Sequence, residues 1–167
     1  RQGISPYVYG TNQPDWGGRG SRLTASRFGG NRTTAYNWEN NASNAGADYQ
    51  HQNDSYLGGG DTPGEVVRLQ AQAAHDSGAS LLVTAPAVGY VSADKNGGGD
   101  VNQTPNYLST RFHVSEAFKG APLSTTPDLS DGRVYQDEFV NWLESTFPGA
   151  RSDPARTLWY CIDNEPD

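Results

Sequence analysis

The chain has 167 residues, with 12 Lys and Arg against 19 Asp and Glu, for a net charge of −7. That balance excludes a phosphate-tracking partner, because nucleic-acid affinity is assembled from clustered Lys and Arg, and no apolar run reaches the ~20 residues of a membrane helix. The lone Cys161 has no partner for a disulfide, and the abundance of Asn, Gly, Ser, Thr and Tyr suits a secreted, extracellular protein.

In chain order, the first element is the Tyr- and Val-rich run Pro6–Gly10, of strand type. A second strand is expected at Arg27–Arg32, where paired glycines suggest close passage of backbone. The first helix opens at Thr62–Pro63–Gly64–Glu65, with Thr62 as cap, Pro63 in the first turn and Glu65 reaching back as a capping box. Val66, Leu69 and Ala73 follow at helical spacing, and Gly78 supplies a left-handed stop. Ser80–Ala85 is nearly continuous apolar sequence, as in a strand buried on both faces of a parallel sheet. A second helix is expected over Val134–Phe147, ended by Pro148–Gly149, and a last apolar strand over Thr157–Ile162.

Strands alternating with helices predict an α/β fold with parallel connections. Two connections, from Thr33 to Gly60 and from Ala85 to about Asp131, are long enough to expect function in them. Both follow strand C-terminal ends, the side on which α/β proteins build their sites.

The segment Ile162–Asp163–Asn164–Glu165–Pro166 closes the last strand. A Glu there can act as the protonated carboxylic acid that glycoside hydrolysis needs beside the leaving oxygen, with Asn164 offering an amide to a substrate hydroxyl. Glu165 can also simply cap a helix or pair with an Arg. In Thr34–Asn44, Trp38 and Tyr36 offer faces for pyranose rings, while Asn37, Glu39 and Asn40 can satisfy hydroxyls; the same Trp38 can instead plug its loop onto the fold. Tyr90 and Asn12 follow other strands and join the expected rim. Arg32 ends the second strand in this reading, where it would orient a carboxylate or form a structural ion pair. Asp128, Asp131 and Asp137 cluster around a turn and with Glu39 are hard oxygen donors of the kind Ca²⁺ prefers, although the three aspartates also suit caps for the following helix. Histidines lack HExxH spacing, and neither a nucleotide loop nor a GxSxG elbow is present.

The phrases SPYVYGTNQ (5–13), FGGNRTTAYNWENNASNAG (28–46), VGYVSADKNG (88–97), VYQDEFVNWL (134–143) and IDNEPD (162–167) resemble glycoside hydrolase family 44. The resemblance implies the first half, about four βα units, of a (β/α)8 TIM barrel, truncated before closure, with strands 1–4 of a catalytic domain in residues 1–167. The rest of the barrel and a β-sandwich domain would lie outside. It implies endo-acting, retaining cleavage of β-1,4-glucans such as cellulose or xyloglucan, with Glu165 as general acid/base and a nucleophilic Glu on a later strand. No cofactor is required by that chemistry; structural Ca²⁺ at Glu39, Asp128 and Asp131 is an added expectation. The partners implied are a β-glucan and the missing C-terminal half of the barrel, with neither nucleic acid nor membrane. A non-catalytic carbohydrate-binding module, or another barrel glycosidase such as a xylanase or mannanase, remains the alternative.

Overall fold

The computed structural model describes residues 3–97 and 101–164, apart from the side chains of Arg19, Ser21 and Asn102. In chain order the elements are β1 (Gly10–Asn12), β2 (Ala25–Phe28), β3 (Ser43–Asn44), β4 (Asn53–Asp54), α1 (Glu65–Asp76), β5 (Ser80–Ala85), β6 (Tyr90–Ser92), α2 (Tyr107–Thr110), β7 (Phe112–Glu116), β8 (Arg133–Tyr135), α3 (Gln136–Thr146) and β9 (Leu158–Ile162). Strands β1, β2, β5 and β9 form a parallel sheet in that order. The parallel α/β expectation is therefore met, with β5 at its predicted bounds and β9 within one residue.

Parallel partners point to the same side of a sheet, so the register divides the residues by face. Phe28, Leu81, Val83 and Leu158 are buried on the helix-bearing face, with Val67, Ala71 and Ala74 of α1 and Phe139 and Leu143 of α3 in the same core. Arg27 pairs with Leu82, Leu82 with Trp159, and Thr84 with Cys161 on the opposite face. There Thr84 Oγ1 and Cys161 Sγ lie 3.4 Å apart, and the half-buried Cys161 thiol is free.

The structure corrects several local expectations. Pro6–Val8 is a turn of 3-10 helix, set by Pro6 at its start and by Ser5 Oγ accepting from the Tyr7 N–H, and the strand begins later, at Gly10. The second strand ends at Phe28 instead of Arg32, because Gly30 adopts φ +107° and Asn31–Thr33 coil into another 3-10 turn. Thr62 does not cap α1; Asn41 Oδ1, from the loop before it, accepts from the Val66 N–H at 3.2 Å. The first turn is entered through Gly64 at φ +62°, whose N–H donates to Trp38 O at 2.6 Å, while Glu65 pairs with Arg68 at 2.6 Å. The buried stripe of α1 is also rotated, since Leu69 is 47% exposed. Gly78, at φ +69°, ends the helix as expected.

The two long connections carry structure that the sequence did not announce. The first holds the antiparallel β3–β4 pair, two residues on each side. In the second, β6 and β7 are antiparallel, β7 and β8 parallel, and β8 takes up Val134 and Tyr135, which pattern alone assigned to the helix. These small sheets hold both loops over the C-terminal side of β2 and β5, where the functional residues collect.

Candidate functional site

At the end of β9 the chain makes a sharp bend. Asp163 N–H still donates to Ala85 O at 2.9 Å, continuing the ladder, but Asp163 itself sits at φ +59° and is 8% exposed. Its Oδ2 accepts from the Ala87 N–H at 3.3 Å and its Oδ1 from the Asn164 N–H at 2.6 Å. Asn164 then faces β2. Its Oδ1 accepts from Arg27 Nη2 at 2.6 Å and from the Gly30 N–H at 2.9 Å. Two donors on one atom identify it as the oxygen, so the amide NH₂ points away from Arg27. The bond from a guanidinium contributes about 1.5–3 kcal/mol in such settings. Glu165 lies outside the described residues.

Arg27 is the residue that sequence reasoning missed. The usable signal was the glycine pair two residues beyond it, since backbone that turns at Gly29–Gly30 exposes the strand's last inward side chain. Arg32 has a different place. It lies beyond the strand and pairs with Asp54 at 2.6 Å, and its guanidinium sits 4.0 Å over the ring of Tyr56. That ion pair holds the Asp54 carboxyl below its usual range against the opposing effect of burial. Asn12 pairs in register with Arg27 and is exposed at the end of β1. Tyr90 is half-buried and lines a crevice of about 230 Å³ with Tyr107 and Phe112, closed by Asn31 and Val88.

A sugar-stacking face at Tyr36 and Trp38 is not what the structure builds. Both are 1% exposed. Trp38 lies against Phe139 and Trp142, with ring centroids 6.2 and 5.6 Å away, and Tyr36 OH donates to Asn41 Oδ1 at 2.7 Å. Asn37 is fully buried, with Nδ2 donating to Ser92 O and Oδ1 accepting from the Glu39 N–H, both at 2.9 Å. Asn40 likewise donates to Ser92 O and Ala93 O. The amides of this segment satisfy the protein's own backbone, which places the loop as a plug beneath the rim.

Glu39 is 1% exposed, and its Oε2 has no hydrogen-bond partner among the described residues. Burial, then the negative charges of Asp131, Glu138 and Asp128, push its carboxyl up to about 8. The donors suit Ca²⁺ chemically, but Asp128 and Asp131 turn Oδ1 to the N–H groups of Ser130 and Arg133 in their own loop. Among the described residues no group of three or more His, Cys, Asp or Glu side chains is arranged to hold a metal ion. Asp137, expected with them as a cap, instead accepts from the Lys119 N–H.

A proton at Glu39 has a thermodynamic signature. A carboxyl whose folded pKa is raised from 4.5 to about 8 contributes stability that is fully present below pH 4.5 and lost as pH rises through 8. The Tm is therefore expected to fall across that window, and Glu39→Gln to remove the fall. Because no three such donors converge among the described residues, millimolar Ca²⁺ at pH 8 is expected to leave the wild-type Tm unmoved; a raised Tm would show that the ion takes the place of the proton.

A groove of about 610 Å³ runs between the ends of β5 and β9 and α3, walled by Pro86, Phe118, Val140, Tyr160 and Ile162. It lies on the helix-bearing side, because Tyr160 alternates with Cys161, and so does not belong to the Arg27–Asn164 constellation.

Comparison with known proteins bears on the fold and the family. The family model described as Glycoside hydrolase family 44 matches residues 42–167. The chain is 44% identical to Endoglucanase A of Paenibacillus lautus, over 99% of this chain and 24% of that protein. It superposes with TM-score 0.87 on a Paenibacillus polymyxa xyloglucanase solved with xyloglucan, at 43% identity over 99% of this chain and 33% of that one. A family 44 endoglucanase from Clostridium thermocellum gives TM-score 0.86 at 45% identity, again over 99% and 33%. The chain thus spans about a quarter to a third of the length of these relatives.

Proposed function

Since the chain belongs to glycoside hydrolase family 44, we propose that the protein carrying it is a secreted enzyme that cleaves internal β-1,4 bonds of a glucan, with Glu165 as the general acid/base. The observation that carries this reading is the Arg27–Asn164–Gly30 arrangement. It fixes the residue before Glu165 on the inward face of a parallel sheet, at strand C-terminal ends, where α/β enzymes place their chemistry. With its oxygen taken by Arg27 and Gly30, Asn164 presents its NH₂ to a substrate hydroxyl, and the adjacent carboxyl delivers a proton to the leaving oxygen.

The four parallel strands correspond in this reading to the first half of a (β/α)8 barrel. Retention of configuration requires a second carboxylate ~5–5.5 Å from the first. Asp163 is a poor candidate, because its carboxylate is engaged by the Ala87 and Asn164 N–H groups; the nucleophile belongs to a later strand. A non-catalytic binding module is disfavoured by the burial of Tyr36 and Trp38, which with Tyr90 would have formed its platform.

The test is a substrate panel of xyloglucan, mixed and linear β-glucans, xylan and mannan. The protein carrying this chain is expected to release reducing ends from the β-1,4-glucans, and the 167-residue chain alone to release none. Absence of turnover on every glucan by the longer protein would overturn the proposal, and preferential turnover of xylan or mannan would reassign the substrate.

A further inference from the structure

We propose that Asp163 is a positioning residue that sets the direction of the Asn164–Glu165 segment; this rests on the assignment of Glu165 as acid/base. A strand that simply continued past Ile162 would carry residue 164 along β9 and away from β2. Instead the backbone reverses at Asp163, in the left-handed region that Asp and Asn visit more readily than other side-chain-bearing residues. The bend is what turns the Asn164 side chain across the sheet to Arg27 and Gly30, two strands away in the order β2–β5–β9.

The carboxylate then locks the bend it makes. One oxygen holds the N–H of Asn164, so the residue being aimed is tied to the residue that aims it. The other holds the N–H of Ala87, just past the end of β5, which fixes the bend to the neighbouring strand. With the Asp163 N–H on Ala85 O, this one residue makes two bonds that join the tips of β5 and β9 and a third that holds the bend itself. It is buried at 8% exposure. Such unusual backbone at the lip of a site is stored where the surroundings over-determine it, and here the surroundings are the two strand ends and Arg27.

The experiment is steady-state kinetics on β-glucan with the protein carrying this chain. Asp163→Ala, which lacks both acceptors, is expected to lower kcat by about 10- to 100-fold, as small misplacements of a reacting group do, with KM little changed. Asp163→Asn tolerates the same backbone and keeps one acceptor oxygen, so its kcat is expected to lie between wild type and Asp163→Ala. A merely structural role would instead lower the Tm of both variants and leave kcat per folded molecule at the wild-type value, which would overturn the inference. If Asp163→Ala does not fold, wild-type kcat in Asp163→Asn with a wild-type pH profile would overturn it equally, and a reduced kcat with unchanged KM would support it. Glu165→Gln, measured alongside, separates the two claims. An active Glu165→Gln ends the acid/base assignment, whereas an inactive Glu165→Gln beside a fully active Asp163→Ala ends only the role of Asp163.

Discussion

Replacing Glu165 by Gln in the protein carrying this chain is expected to lower kcat on polymeric β-glucan by about 10²–10⁴-fold, the contribution of a positioned general acid. Gln keeps the size of the side chain and its hydrogen-bonding ends but has no proton of suitable acidity to give. Binding should survive, so KM is expected to move far less than kcat. The leaving group supplies an internal control. An aryl glucoside whose phenol leaves without protonation asks nothing of the acid in the first step, and its bond cleavage should be much less impaired. Loss of the same magnitude on both substrates would point to damaged structure, and near wild-type turnover on the polymer would remove Glu165 from the mechanism.

The second large effect is on stability. Gly64 sits at φ +62° where α1 begins, and its N–H is bonded to Trp38 O. A Cβ built there runs into the six-membered ring of Trp142. Gly64→Ala therefore combines a left-handed backbone penalty of ~1–2 kcal/mol with an overpacking cost of ~1–3 kcal/mol. The sum, about 2–5 kcal/mol, is a large part of the ~5–15 kcal/mol that holds a typical domain together. The ring cannot yield freely, because Trp142 is stacked on Phe139 and lies tilted against Trp38. Chemical denaturation is expected to show a lower midpoint at unchanged m, and an unchanged midpoint would show that Trp142 moves aside without cost.

Much of the scaffold was legible. Ser80–Ala85 has one reading, because a six-residue apolar run between a helix stop and a long polar loop fits little besides a buried parallel strand. The helices were visible from apolar spacing, but their starts were not. Thr62 has the look of a cap, yet the close approach of Trp38 O and Trp142 selects Gly64 for the entry, and no local pattern encodes a partner a loop or a helix away. The β3–β4 pair is two residues long on each side, too short to show alternation. The sheet of β6, β7 and β8 joins segments separated by long loops, and its pairing is decided by where those loops fold back.

The same limit governed the site. Asn164 was found because its motif is contiguous, whereas its two donors come from β2 and the turn after it. Arg32 looked like the strand-end arginine only because the strand was drawn through Gly29–Gly30; with φ +107° at Gly30 the strand stops short and Arg27 takes that place. Trp38 read as a platform because aromatic loops commonly serve sugars. Its burial follows from Phe139 and Trp142, which approach from α3, about a hundred residues along the chain.

One sulfur atom gives this sheet a built-in clock. The chain contains no methionine and a single cysteine, and that thiol rests against Thr84 between the two strands that carry the bend. Any alkylating reagent that marks the described chain at sulfur must do so at this seam, and it gains full access when β5 and β9 part. Alkylation faster than the half-buried thiol allows in the folded chain therefore reports the parting of the strands on which the whole constellation is mounted.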